Sequence, residues 1–95
     1  MTKPIAKHLI IEGHVQGVAF RANAIAVARK KGISGWIRNL ADGTVEILAQ
    51  GDAGDVDGFV QWCRCGPRFA DVTGLIVTDV FPDLSLESFE RIRDR

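Results

Sequence analysis

The dipeptide Asp42-Gly43 separates two apolar stretches, SGWIRN at 34–39 and TVEILAQ at 44–50. No other feature limits the fold more. Asp-Gly readily takes the positive-φ conformations of a tight hairpin turn, so the two stretches should pair as antiparallel strands. A helical segment lies on each side of this hairpin. Residues 21–31, RANAIAVARKK, are rich in alanine and end in Arg29, Lys30 and Lys31, which complement the negative end of the helix dipole. Gly32 then supplies the stop. Within 54–65, Val56, Phe59, Val60 and Cys63 fall at i, i+3, i+4 and i+7, one helical face turned to a core, and Gly66-Pro67 closes the helix. KHLIIEG at 7–13 and DVTGLIVTDV at 71–80 read as strands, and LESFERI at 86–92 as a candidate short fifth strand on an edge.

The order β-α-β-β-α-β predicts an α+β fold, the ferredoxin-like α/β sandwich with two helices on one face of an antiparallel sheet. A chain of 95 residues has room for one such domain, spanning 1–95. Right-handed crossover makes the first and second strands parallel, with the third inserted between them. The loop after the first strand, the start of the first helix and the far end of the second strand then meet at one end of the sheet. Arg21 and Asn39 become neighbours in space.

That loop is GHVQGVAFRANA, Gly13 to Ala24. It enters a helix N-terminus, where backbone N–H groups lack helical partners and the dipole adds positive charge, an environment that favours a bound anion and phosphate above all. Gly13 and Gly17 permit conformations and close approach that a Cβ would obstruct. The planar fork of Arg21 matches two phosphate oxygens. The nucleoside-triphosphate motif G-x-x-x-x-G-K-[ST] is absent. Physics alone leaves a second reading open at equal weight, a surface turn whose arginine sits in a salt bridge. Asn39 ends the second strand just before the turn, as a turn cap or as an amide that holds a water or a phosphoryl oxygen. Glu12 and His14 are the only acid–base groups that spacing puts near the loop; they read as a surface charge and a bystander. Trp36 and Trp62 read as packing anchors.

The formal net charge is zero and the isoelectric point about 6.7. A protein that binds nucleic acid through its phosphates usually carries a basic surplus, and this one has none. No apolar run reaches the length of a membrane span, and the start MTKPIAKHLI lacks the apolar core of a signal peptide, which points to a cytoplasmic protein. Cys63 and Cys65 lie two apart on a helix, where side chains do not face each other, so neither a disulfide between them nor a zinc site is expected. They read as one part-buried and one exposed thiol.

GHVQGVAFR followed by GWIRNLADGTVEILAQG, with Gly66-Pro67 before a further apolar strand, closely resembles the acylphosphatase family over about residues 7–80. The resemblance implies that Arg21 binds a phosphoryl group and that backbone N–H groups of Val15, Gln16, Gly17, Val18, Ala19 and Phe20 wrap its oxygens. It implies that Asn39 orients the attacking water. The implied reaction is hydrolysis of a small-molecule acyl phosphate to a carboxylate and inorganic phosphate, with no metal and no cofactor. Inorganic phosphate would be product and inhibitor; nucleic acid and membrane are not expected partners, and neutral charge with a short final strand is compatible with a monomer. Three departures stand out: Ala19 where the family often has Gly, the small residues ANAIAV after Arg21, and SFERIRDR, which matches the family's closing F-x-I strand only loosely.

Rival readings have less support. RNA-recognition modules share the element order but stack bases on aromatics of the two central strands, and HLIIEGH and TVEILAQ contain none. A copper carrier of this topology would need Cys-x-x-Cys in the first loop. A non-catalytic phosphate-binding domain would need no Asn39 beside the loop.

Overall fold

Residues 3–95, described by a computed structural model, form β1 (Ile5–His14), α1 (Phe20–Lys30), β2 (Ser34–Asn39), β3 (Val45–Gly51), α2 (Ala53–Cys65), β4 (Asp71–Val80) and β5 (Phe89–Arg91). The strands lie in the order β4-β1-β3-β2-β5. β3 sits between β1 and β2 and runs antiparallel to both, so β1 and β2 are parallel, as right-handed crossover requires. The architecture is the ferredoxin-like α+β sandwich. One expectation needs correction: the sheet is mixed, because β5 pairs with β2 in parallel. Residues 81–88 carry the chain from one edge of the sheet to the other, so β5 arrives running with β2. The buried Gln50 fastens this crossing, donating from Nε2 to the Asp83 carbonyl at 2.8 Å and accepting from the Asp83 N–H at 2.9 Å.

Period-2 alternation decides which face is covered. Leu9 and Ile11 of β1, Ile37 of β2, and Val45, Ile47 and Ala49 of β3 are buried in one cluster with Ala24 and Ala28 of α1. Val56, Phe59, Val60 and Cys63 of α2 join it, the four residues whose spacing marks a helical face. Cys63 is buried, which pushes its thiol far above the ordinary range, and Cys65 is exposed. Phe89 of β5 is also fully buried, its ring 5.7 Å from that of Phe59. This single side chain seals a short strand to the core. Among the described residues no helix is long and apolar enough to cross a membrane.

The other face of the sheet carries no helix. Trp36 lies here rather than in the core, with the Arg38 guanidinium 5.1 Å from its ring centre. Glu46, next to both, accepts from Arg38 Nε and pairs with His8 Nε2 at 2.8 Å. Partial burial pushes its carboxyl pKa up, but the hydrogen bonds from His8 and Arg38 outweigh this and hold it below the usual value.

Two predictions follow from this packing. Phe89→Ala should cost about 3–5 kcal/mol, since a large ring leaves a void beside Phe59, measured as a fall in the urea midpoint. Ionised Glu46 stabilises the folded state at pH above its unfolded value, and this contribution is lost as pH falls through the lowered folded value. Glu46→Gln should therefore flatten the acid limb of stability against pH; an unchanged limb would deny Glu46 that part.

Candidate active site

Val15 and Phe20 are each 1% exposed and anchor both ends of the loop between β1 and α1. Val18 packs against the core between them. The intervening backbone stays outside and must turn sharply, and it does so with left-handed residues at Gly17 (φ +75°) and Ala19 (φ +59°). Glycine takes such a φ freely; alanine is strained there, by about 1–2 kcal/mol. Earlier, a bulge between Glu12 and Gly13 turns the end of β1. Gly13 there has φ +121°, and a Cβ on it would stand 2.1 Å from the Asp71 carbonyl oxygen, so the position requires glycine.

The loop is held from outside as well. Gln16 Nε2 donates to the carbonyls of Leu40 and Thr44, each at 2.9 Å, which locks the loop to the β2–β3 hairpin. Asn23 donates from its side chain to the Ala19 carbonyl at 2.8 Å. No side chain caps the N-terminus of α1, and its first turn holds no acidic residue. The unpaired N–H groups and the positive end of the dipole therefore face outward beside the loop.

They face a cavity of about 160 Å³ lined by Val15, Gln16, Gly17, Ala19, Phe20, Arg21, Ala22, Asn39 and Arg91. The fold thus brings Arg21 and Asn39 to one cavity with every loop residue named from sequence except Val18. Glu12 and His14 are exposed and do not line it. The volume suits a phosphate-sized group and is well under the roughly 300 Å³ of pockets that enclose larger ligands. Among the described residues no cluster of His, Cys, Asp or Glu could hold a metal ion.

One arrangement was not legible from motif spacing. The chain beyond β5 keeps pairing with β2: Ile92 N–H donates to the Ile37 carbonyl and Arg95 N–H to the Asn39 carbonyl, both at 3.0 Å. This places Asp94 so that its Oδ1 accepts from Arg21 Nη1 at 2.6 Å and from the Asn39 N–H at 3.0 Å. One carboxylate oxygen thus fixes both residues. Arg21 does sit in a salt bridge, as the second reading of the loop has it, and it also lines the cavity. Its guanidinium has five N–H donors, and the pair with Asp94 leaves donors for a ligand. Asn39 Oδ1 is buried and accepts no hydrogen bond from the described residues. A buried acceptor of this kind calls for an external donor such as a water O–H.

Along nearly its whole length the chain is similar to known proteins. The acylphosphatase family model matches residues 7–91. An acylphosphatase of Methylococcus capsulatus is 46% identical over 87 residues, 92% of this chain and 95% of that protein. One of Thermococcus kodakarensis is 44% identical over 88 residues, covering 93% and 96%. The crystal structure of acylphosphatase from Bacillus subtilis superposes with a TM-score of 0.89 at 34% identity, over 94% of this chain and 99% of that one.

The strain at Ala19 yields a test independent of any reaction. Ala19→Gly should stabilise the protein by about 0.5–1 kcal/mol, the relieved strain less the added freedom of the unfolded chain. Chemical denaturation measures it, and destabilisation would show that the methyl group is held by favourable packing.

Proposed function

The chain belongs to the acylphosphatase family, hydrolases of acyl phosphates, and on that premise we propose how its own residues perform the reaction. The phosphoryl group sits in the loop 15–20, its oxygens on backbone N–H groups and on the free donors of Arg21. Asn39 accepts a hydrogen bond from a water through Oδ1 and aims the water's oxygen at phosphorus, opposite the bond to the acyl oxygen. Attack forms the new P–O bond as the acyl O–P bond breaks. The products are a carboxylate and inorganic phosphate. The observations that carry this reading are that Arg21 and Asn39 line one small cavity and that Asn39 Oδ1 is buried without a hydrogen-bond partner among the described residues.

So few groups suffice because of the leaving group. A carboxylate has a conjugate acid of pKa about 4, so no general acid is required to expel it. Phosphoryl transfer passes through a loose transition state whose charge spreads over the equatorial oxygens, and catalysis is mostly positioning and charge stabilisation. Arg21, the loop amides and the helix N-terminus supply positive charge fixed in place before the reaction, without a metal. Asn39 cannot take a proton at neutral pH, so its part is orientation, and the water's proton passes to a phosphoryl oxygen or to solvent. Asp94 acts through Arg21 and Asn39: it is a positioning residue. Inorganic phosphate fits the same donors and acts as a product inhibitor.

Steady-state hydrolysis of benzoyl phosphate tests these assignments. Asn39→Ala should lower kcat by about 10²–10³-fold while phosphate inhibition stays nearly intact, since only the water is lost. Arg21→Ala should lower activity by at least about 10³-fold and abolish phosphate inhibition with it; phosphate binding retained in that variant would remove Arg21 from the site. Treatment with EDTA should leave the rate unchanged.

A further inference from the structure

Arg91 lines the same cavity as Arg21. It comes from the opposite side. The loop rises from β1, inside the sheet, whereas Arg91 ends β5, the outer edge strand in the order β4-β1-β3-β2-β5. Asn39, at the end of β2, lies between them in the strand order. Side chains two apart on a strand share a face, so Arg91 projects on the side of the buried Phe89, the side on which α1 lies. Neighbouring charges are already matched. Arg29 pairs with Glu90 at 3.0 Å and Arg21 with Asp94 at 2.6 Å. Arg91 is exposed, and its side chain makes no hydrogen bond or ion pair to any described residue. A guanidinium without a partner at the mouth of an anion site is a cation awaiting an anion.

A substrate held by its phosphoryl group in the loop must direct its acyl part out of a cavity too small to enclose it. Toward the hairpin the cavity borders on Gln16, which the Leu40 and Thr44 carbonyls hold in place. The outer side leads to Arg91. We propose, building on the reading above, that Arg91 is a specificity-determining residue that selects acyl phosphates whose acyl part carries a second anionic group. A guanidinium binds a carboxylate or a phosphate through the same two-pronged geometry, so both chemistries qualify. The ion pair forms outside the bond that breaks and strengthens binding of ground and transition states alike. Its effect therefore falls on KM rather than on kcat.

The test compares benzoyl phosphate with 4-carboxybenzoyl phosphate and 4-phosphonobenzoyl phosphate, which share one rigid frame and differ in the distal charge. The wild type should favour the charged substrates in kcat/KM by about three- to tenfold relative to Arg91→Gln. The difference should appear in KM and shrink with added salt. Arg91→Lys should keep most of the preference. Arg93→Gln removes one positive charge from the same segment without touching the cavity and should keep all of it. The two charged substrates distinguish a preference for carboxylate from one for phosphate. An equal ratio in wild type and Arg91→Gln would overturn the assignment, and so would an equal loss on all three substrates, which would place Arg91 on the phosphoryl group. Turnover of benzoyl phosphate by the wild type checks the underlying reading separately: if none of the three substrates is cleaved, that reading and this inference fall together.

Discussion

Val15 and Phe20 are buried in one core, and the chain between them cannot follow. This constraint shapes the rest of the site. Two anchors so close together force the intervening backbone into a tight outward turn, with left-handed conformations at Gly17 and Ala19. A turn of that kind directs N–H groups toward one point, and the first turn of α1 continues the series. Packing, not polar attraction, builds this turn. Apolar burial supplies the rigidity, and Gln16 supplies a polar brace that ties the loop to the hairpin just beyond Asn39.

A protein with formal net charge zero nevertheless concentrates positive charge at this spot. The start of α1 has no acidic residue, and Arg21 and Arg91 line the cavity. Asp94 tempers this by occupying part of Arg21. Its cost in binding strength is offset by orientation, because a long, flexible side chain loses much of its rotamer freedom before any ligand arrives. The arrangement resembles catalytic bases and cations elsewhere that are aimed by a third group.

The sequence reveals what depends on local or periodic signals. The Asp42-Gly43 turn, the buried stripe of α2 and the order of the elements are of this kind, and the crossover rule then brings Arg21 to Asn39. Gly13 and Gly17 announce the bends of the loop. What stays hidden depends on tertiary placement. Nothing near Asp94 or Arg91 marks them as part of a site, because both reach it through β5, whose parallel pairing with β2 is set by a crossing of the sheet end that leaves no pattern. The one available sign was the loose match of SFERIRDR to a closing strand, a charged residue standing where an apolar one belongs. Trp36 misleads for a related reason: size suggests the core, but its place in the alternation sends it to the uncovered face. Ala19 shows propensity yielding to context, since the anchors on either side over-determine its backbone.

The bond between Arg21 and Asp94 joins residues 73 positions apart. β1 and β4 pair over a comparable span, Ala6 with Val80, so length alone does not set this contact apart; what does is that it depends on β5. β5 adds only three residues to the sheet, at its edge, and the relevant species is one with β5 undocked. Such a species would carry nearly all the secondary structure of the native protein and an arginine without its holder. The order of the cavity thus depends on the docking of the last strand: a probe of Arg21 reports that docking, whereas far-ultraviolet signals report the sandwich as a whole.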